Sequence, residues 1–210
     1  MTDELIFFTN PMSRGRIARW MLEETGCAYR TEVLDFGPDM KSPGYLAINP
    51  MGKVPAVLHK GKIVTEAAAI CAYLADAFPE AGLAPPLPER AAYYRWMFFA
   101  AGPVEAALSN KAFGFEVPAD RQRAIGYGSI QNVVDVLDYA VTQSEYIAGD
   151  RFTAADVYVG SQIGWGMMFG TLEKRPAFEA YWQRISSRPA AVRAREIDDA
   201  LVAAQQATAV

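Results

Sequence analysis

Apolar positions change their rhythm part-way along the chain. Up to about residue 79, short apolar runs alternate with single helical stripes; beyond about residue 88 the stripes are helical throughout. Leu5 to Phe8 reads as a short buried strand. From Ser13 to Thr25, Ile17, Trp20 and Met21 recur at helical spacing, and Gly26 supplies the stop. Tyr29 to Leu34 reads as a second strand, and a short irregular helix is expected near Pro43 to Ile48. Val54, Ala56, Val57 and Leu58, then Ile63 and Val64, predict a hairpin across a Lys60-Gly61 turn. Ile70, Tyr73, Leu74 and Phe78 mark the next helix face. A βαβ unit followed by a hairpin and a helix (β-α-β-α-β-β-α) predicts an α/β domain on a mixed four-stranded sheet.

The stretch "PEAGLAPPLP", Pro79 to Pro88, holds no periodic apolar face and reads as a linker. The predicted organisation is therefore 1–79 for the α/β domain, 80–88 for the linker and 89–210 for an all-α helical bundle. In the bundle, Ile130, Val133, Val134, Leu137 and Val141 share one face, as do Phe178, Tyr181, Trp182 and Ile185. Gly102-Pro103 should bend or break the helix that begins near Glu89. "RFTAADVYVG" carries a capping box, Thr153 with Asp156, and staple positions at Phe152 and Val157. The helix it starts is apolar or small nearly all round, which places it at the centre of the bundle. That box is a folding device and receives no chemical role.

Composition and charge narrow the function classes. The chain has 210 residues, half of them apolar, and a formal net charge of −4. No block of like charge offers a basic footprint, so no nucleic-acid partner is expected. Cys27 and Cys71 stand in unrelated segments without CxxC spacing and read as reduced, mostly buried thiols. His59 is the single histidine, too few for a His-rich site, so no metal is expected. No signal peptide is visible at Met1 to Glu4, and no apolar run is long enough to span a bilayer. The expectation is a cytoplasmic protein with no membrane association.

The chemistry sits around "NPMGKVPAVLHKGKIVTEAAAI", Asn49 to Ile70. Pro55 stands at the head of a strand, where it removes a ladder donor. If the Val54–Pro55 bond is cis, Val54 presents its N–H and C=O outward, where an extended peptide can pair as an added strand. Glu66 stands at the head of the following helix, beside N–H groups open to an anion. A carboxylate next to free N–H donors suits an α-amino-acid end. The plain alternative is a trans proline ending a loop and a glutamate that favours its helix start.

These residues, with "TEAAAICAYLADAFPE", the proline-rich linker and "GDRFTAADVYVG", resemble the cytosolic glutathione transferase family over essentially the whole chain. The bacterial, serine-type-like or unclassified kind is the nearest description. The resemblance implies a thioredoxin-like N-terminal domain, a helical C-terminal domain, a homodimer, and glutathione as co-substrate in detoxification. It implies that Val54, ahead of Pro55, pairs with the cysteinyl main chain, and that Glu66 and Ala67 hold the γ-glutamyl end. Lys53 matches a position that meets the glycyl carboxylate in some classes, and Lys41 is a second candidate. The family usually has serine where this chain has Ala67; losing one such hydrogen bond lowers affinity by about tenfold at most.

The family activates the glutathione thiol with Tyr, Ser or Cys at the start of the first helix. Here the region reads "FFTNPMSRGRIARWMLEETG", without tyrosine or cysteine before the helix. The usual serine slot falls on Met12, one residue short of Ser13. Ser13 is the first candidate; Asn10 and Thr9 are alternates. Asn10-Pro11 also reads as an N-cap followed by proline, and Ser13 as a helix-start residue without catalytic duty. A free thiol titrates near ~8.5, and a hydroxyl donor with a helix N-terminus favours the nucleophilic anion. The electrophile is expected between this helix start and the helical domain, with Met12, Trp96, Phe99 and Met168 as pocket candidates, although such side chains are more often core. The leading function is addition of glutathione to an apolar electrophile. The alternatives are a glutathione-dependent reductase or peroxidase on the same fold, or a non-catalytic transferase-like interaction module.

Overall fold

The computed structural model of the chain describes residues 4–208. Met1 to Asp3, read above as carrying no signal peptide, lie outside them, as do Ala209 and Val210. Strand β1 (Leu5–Thr9) buries alternate side chains and leads into helix α1 (Gly15–Thr25). Gly26 ends α1 at φ 67°, its N–H bonded to the Leu22 carbonyl, as its position predicted. Strand β2 (Arg30–Val33), the short helix α2 (Pro43–Leu46), strands β3 (Ala56–His59) and β4 (Lys62–Thr65) and helix α3 (Ala67–Ala77) follow. The sheet order is β2-β1-β3-β4, with β1 parallel to β2 and antiparallel to β3, and β3 antiparallel to β4. This is the mixed four-stranded sheet that the alternating pattern predicts.

The remaining helices are α4 (Ala91–Phe99), α5 (Glu105–Ala112), α6 (Ile130–Gln143), α7 (Ala154–Phe169), α8 (Pro176–Ser186) and α9 (Pro189–Thr208). Gly102-Pro103 does interrupt the long helix: Ala100–Val104 widens into a π-helical turn between α4 and α5. The capping box at Thr153 and Asp156 is formed. The Asp156 carboxylate is buried and accepts from the Thr153 N–H (2.8 Å), the Ile147 N–H (2.7 Å) and the Tyr181 hydroxyl (2.8 Å). Burial raises its pKa while those donors hold it down. Helix α7 is buried along almost its whole length, as an all-apolar helix requires.

The chain divides into two compact units, and the division departs from the expected boundary in one respect. One unit runs up to Leu83 and resumes at Ser187; the other is Ala84–Ser186. The bundle assigned to 89–210 therefore loses α9, which packs along α1. Ion pairs line this contact between α1 and the segment that begins at Arg188: Arg16–Asp199 and Arg19–Asp198 at 2.7 Å, Arg188–Glu24 at 2.7 Å and Arg193–Glu23 at 3.2 Å. Arg19 and Asp198 are fully buried, and the guanidinium also lies 5.1 Å from the Phe7 ring centroid. Burial raises the Asp198 pKa, with the Arg19 charge opposing it.

Candidate functional site

Strand register decides which residues meet. Ala56, the first residue of β3, pairs with Phe8 on one side and Thr65 on the other. The residues just beyond these pairs therefore stand at one end of the sheet: Thr9 at the end of β1 and Asn10 after it, Val54 and Pro55 before β3, Glu66 after β4. The sheet brings the β1–α1 turn to the same end as Val54, Pro55 and Glu66.

The link from β1 to α1 is a tight turn whose polar groups serve one another. Asn10 is buried; its Nδ2 donates to the Leu34 carbonyl (2.9 Å) and its Oδ1 accepts from the Met12 N–H (2.9 Å). Since α1 begins only at Gly15, Asn10 caps this turn and not the helix. Thr9 is fully buried, and its hydroxyl fills the space a side chain at Gly15 would need, 1.9 Å from that Cβ position. Ser13 is half-buried; its hydroxyl donates to the Asn10 carbonyl (2.7 Å) and accepts from the Gly15 N–H (2.9 Å). The Asn10 carbonyl also accepts from the Ser13 N–H at 3.1 Å. Met12 is exposed at the crest of the turn.

The segment before β3 is braced from beneath. Lys41 donates from Nζ to the carbonyls of Met51 (2.9 Å) and Gly52 (3.1 Å), so its ammonium holds the loop. Lys53 is exposed, while its carbonyl accepts from the Tyr45 hydroxyl and Asn49 Nδ2, both at 2.7 Å. The Val54–Pro55 bond is cis, as expected. The Val54 side chain packs on the cluster of Met40, Tyr45 and Ala56, and among the described residues its main-chain N–H and C=O take no hydrogen bond. Burial pushes the Tyr45 hydroxyl pKa up to about 12.

Glu66 is exposed and holds φ 65°, ψ 120°, a conformation that side chains rarely adopt. Its own carboxylate makes no capping bond, and its carbonyl accepts the Ile70 N–H at 2.8 Å. Ala67 is buried as the first residue of α3. The carboxylate thus projects from the head of a helix whose first-turn N–H groups face the same way.

Trp96, Phe99 and Met168 belong to the other unit. Trp96 is buried there, edge-on to Phe99 at 5.7 Å and capped by the Arg95 guanidinium at 4.4 Å. It therefore serves as core, whereas Met168 is exposed near the end of α7. Cys71 is buried and Cys27 half-buried; burial raises both thiol pKa values. Among the described residues no cluster of His, Cys, Asp and Glu could hold a metal ion. No helix among them is long and apolar enough to cross a membrane. Sequence reasoning missed Tyr45 and Asn49. Asn49 lay in plain view in "NPMGKVP", but its partner is a main-chain carbonyl, which leaves no mark in a sequence.

Comparison with known proteins identifies the family. Residues 3–76 match the family model for the glutathione S-transferase N-terminal domain, and residues 108–189 the model for the C-terminal domain. The chain is 30% identical to glutathione S-transferase A of Pleuronectes platessa over 181 residues, 80% of each protein. It is 29% identical to glutathione S-transferase GstA of Escherichia coli O157:H7, over 76% of this chain and 77% of that one. A sphingomonad glutathione S-transferase solved in complex with glutathione superposes with a TM-score of 0.74 at 27% identity, over 92% of this chain and 98% of that one. With both family models matched and a relative 30% identical over 80% of the chain, the chain belongs to the glutathione S-transferase family.

Proposed function

We propose that the chain is a cytoplasmic glutathione transferase that joins glutathione to a small apolar electrophile. The Val54 main chain pairs with the cysteinyl residue of glutathione. Glu66 takes the γ-glutamyl ammonium, and the Ala67 N–H, with the dipole of α3, takes the γ-glutamyl carboxylate. Lys53 meets the glycyl carboxylate; Lys41 supports that loop through its carbonyls. Met12 stands beside the electrophile. Ser13 donates a hydrogen bond to the thiolate, which raises the fraction of glutathione ionised near neutral pH. The sulfur then bonds to the electrophilic carbon; the thiol proton has already passed to solvent, and the leaving group departs with its electron pair. The protein acts as a homodimer, to be checked by sedimentation: a 23.0 kDa species at micromolar concentration refutes it.

The observation that carries this reading is Glu66. An exposed acid held in a costly conformation at the head of a helix, beside an unpaired main-chain edge, marks a ligand site. Ser13 is preferred over Thr9 and Asn10 because both alternates are buried. Two measurements test the proposal. Assays with glutathione should give conjugation of aryl or alkyl halides, with peroxide and disulfide reduction much weaker. Ser13→Ala should raise the thiol pKa of bound glutathione with little change in affinity, and activity should partly recover at higher pH. Superimposable thiolate titrations in wild type and variant would remove Ser13 from the mechanism.

A further inference from the structure

The Lys53 carbonyl is saturated. It accepts from Tyr45 and Asn49, both at 2.7 Å, and a carbonyl oxygen has two lone pairs. Both donors are rigid. Tyr45 and Asn49 are each 4% exposed. The Tyr45 ring is packed with Met40 and Ala56, 5.6 Å from the Phe8 ring. The Asn49 amide is fixed at its other end, where Oδ1 accepts the Met51 N–H at 3.1 Å. That orientation is forced, because an N–H only donates and a carbonyl only accepts.

The Lys53–Val54 peptide bond is trans, so the Lys53 C=O and the Val54 N–H lie in one plane and point in opposite directions. Holding the carbonyl inward therefore holds the N–H outward. Two donors on the carbonyl also draw electron density from the peptide nitrogen. Linked hydrogen bonds strengthen one another by about 10–30% per bond, so the N–H becomes a better donor. The effect reaches Val54 without either side chain touching a ligand.

We propose that Tyr45 and Asn49 are positioning residues that aim and polarise the Val54 amide toward the cysteinyl carbonyl of glutathione. The proposal rests on the reading of Val54 as the main-chain partner of glutathione. It assigns the brace a share in affinity beyond loop stability. It also explains why two buried polar side chains converge on one carbonyl when a single bond would satisfy it.

Tyr45→Phe keeps the ring and removes one donor; Asn49→Asp keeps the acceptor for Met51 and removes the other. The first readout needs no ligand: the Val54 amide proton, assigned by NMR, should move upfield in both variants. The second is calorimetry with glutathione and with an analogue whose cysteinyl carbonyl is replaced by methylene. Each variant should weaken glutathione by about twofold at most if only polarisation is lost and by up to about tenfold, the value of the whole Val54 hydrogen bond, if the aim is lost too, while the analogue binds wild type and variants alike. An unmoved Val54 resonance overturns the proposal. So does equal weakening of glutathione and analogue, which would mean a loosened loop. Failure of the underlying site reading shows in wild type alone, as equal affinity for glutathione and the analogue.

Discussion

Replacing Glu66 separates what its backbone costs from what its carboxylate does. At φ 65°, ψ 120° the residue joins Thr65, paired to Ala56 in the sheet, to Ala67, buried as the first residue of α3. Both neighbours are pinned, so Glu66 absorbs the change of direction. A side chain held in so sparse a region costs about 1–3 kcal/mol. Glycine relieves that strain but loses more chain entropy on folding, about 0.5–1 kcal/mol. Glu66→Gly should therefore stabilise the protein by up to about 2.5 kcal/mol, or up to about 10 °C in melting temperature for a chain of this size. Glu66→Gln keeps the backbone and removes only the charge. At an exposed position its stability should stay within about 0.5 kcal/mol of wild type.

Binding should move the other way. A hydrogen bond to a charged group contributes about 1.5–3 kcal/mol, so Glu66→Gln should raise the glutathione dissociation constant roughly ten- to a hundredfold. Glu66→Gly should weaken binding at least as much, giving a variant that is more stable and less able to bind. Thermal unfolding by circular dichroism and glutathione calorimetry on the same preparations read both effects. A lower melting temperature for Glu66→Gly would refute the strain argument. An unchanged dissociation constant for Glu66→Gln would remove the carboxylate from the site.

Gly160→Ala should destabilise the helical unit by about 1–3 kcal/mol, because the added methyl meets Ile185 Cδ1 at 2.0 Å inside the core. Unfolding melts would show it, and Gly160→Ala with Ile185→Val should recover part of the loss; a wild-type melt for Gly160→Ala would mean α7 and α8 give way freely. Tyr29 and Tyr45 are both pushed up to about 12, chiefly by burial, so the native state keeps protons that the unfolded chain releases near 10. Stability should therefore fall as pH rises from about 10 toward 12, and Tyr29→Phe and Tyr45→Phe should each flatten that limb in alkaline denaturation; a limb unchanged by both would assign it to other groups.

The parts of this molecule that the sequence disclosed are those governed by local rules. The apolar run at β1, the Lys60-Gly61 turn and the Gly26 stop each depend on a few neighbouring residues. The candidate site segment stood out because Val54, Pro55 and Glu66 lie within one hairpin and its exit. The docking of α9 was not legible: Arg19 and Asp198 stand 179 positions apart, and a buried ion pair announces itself only when both ends are placed. Trp96 was ambiguous for the opposite reason. An aromatic at helical spacing looks the same whether it lines a pocket or fills a core, and only its packing on Phe99 and Arg95 decides. The Tyr45 brace lay beyond the sequence because its target is backbone.

Ser13 shows why a capping role and a catalytic role need not compete. Its hydroxyl proton rests on the Asn10 carbonyl at 2.7 Å, where it closes the turn before α1. That carbonyl also holds the Ser13 N–H at 3.1 Å, so it stays satisfied if the hydroxyl turns away. The Gly15 N–H still donates to the same oxygen, which keeps the turn in place and makes the hydroxyl a better donor. Turning forfeits one neutral hydrogen bond, about 0.5–1.5 kcal/mol, and gains one to an anion, about 1.5–3 kcal/mol. The exchange is therefore downhill only when a thiolate is present. Without ligand the Ser13 hydroxyl closes the turn; in the proposed role the same proton would serve the sulfur of ionised glutathione, with no rearrangement of the turn needed to release it.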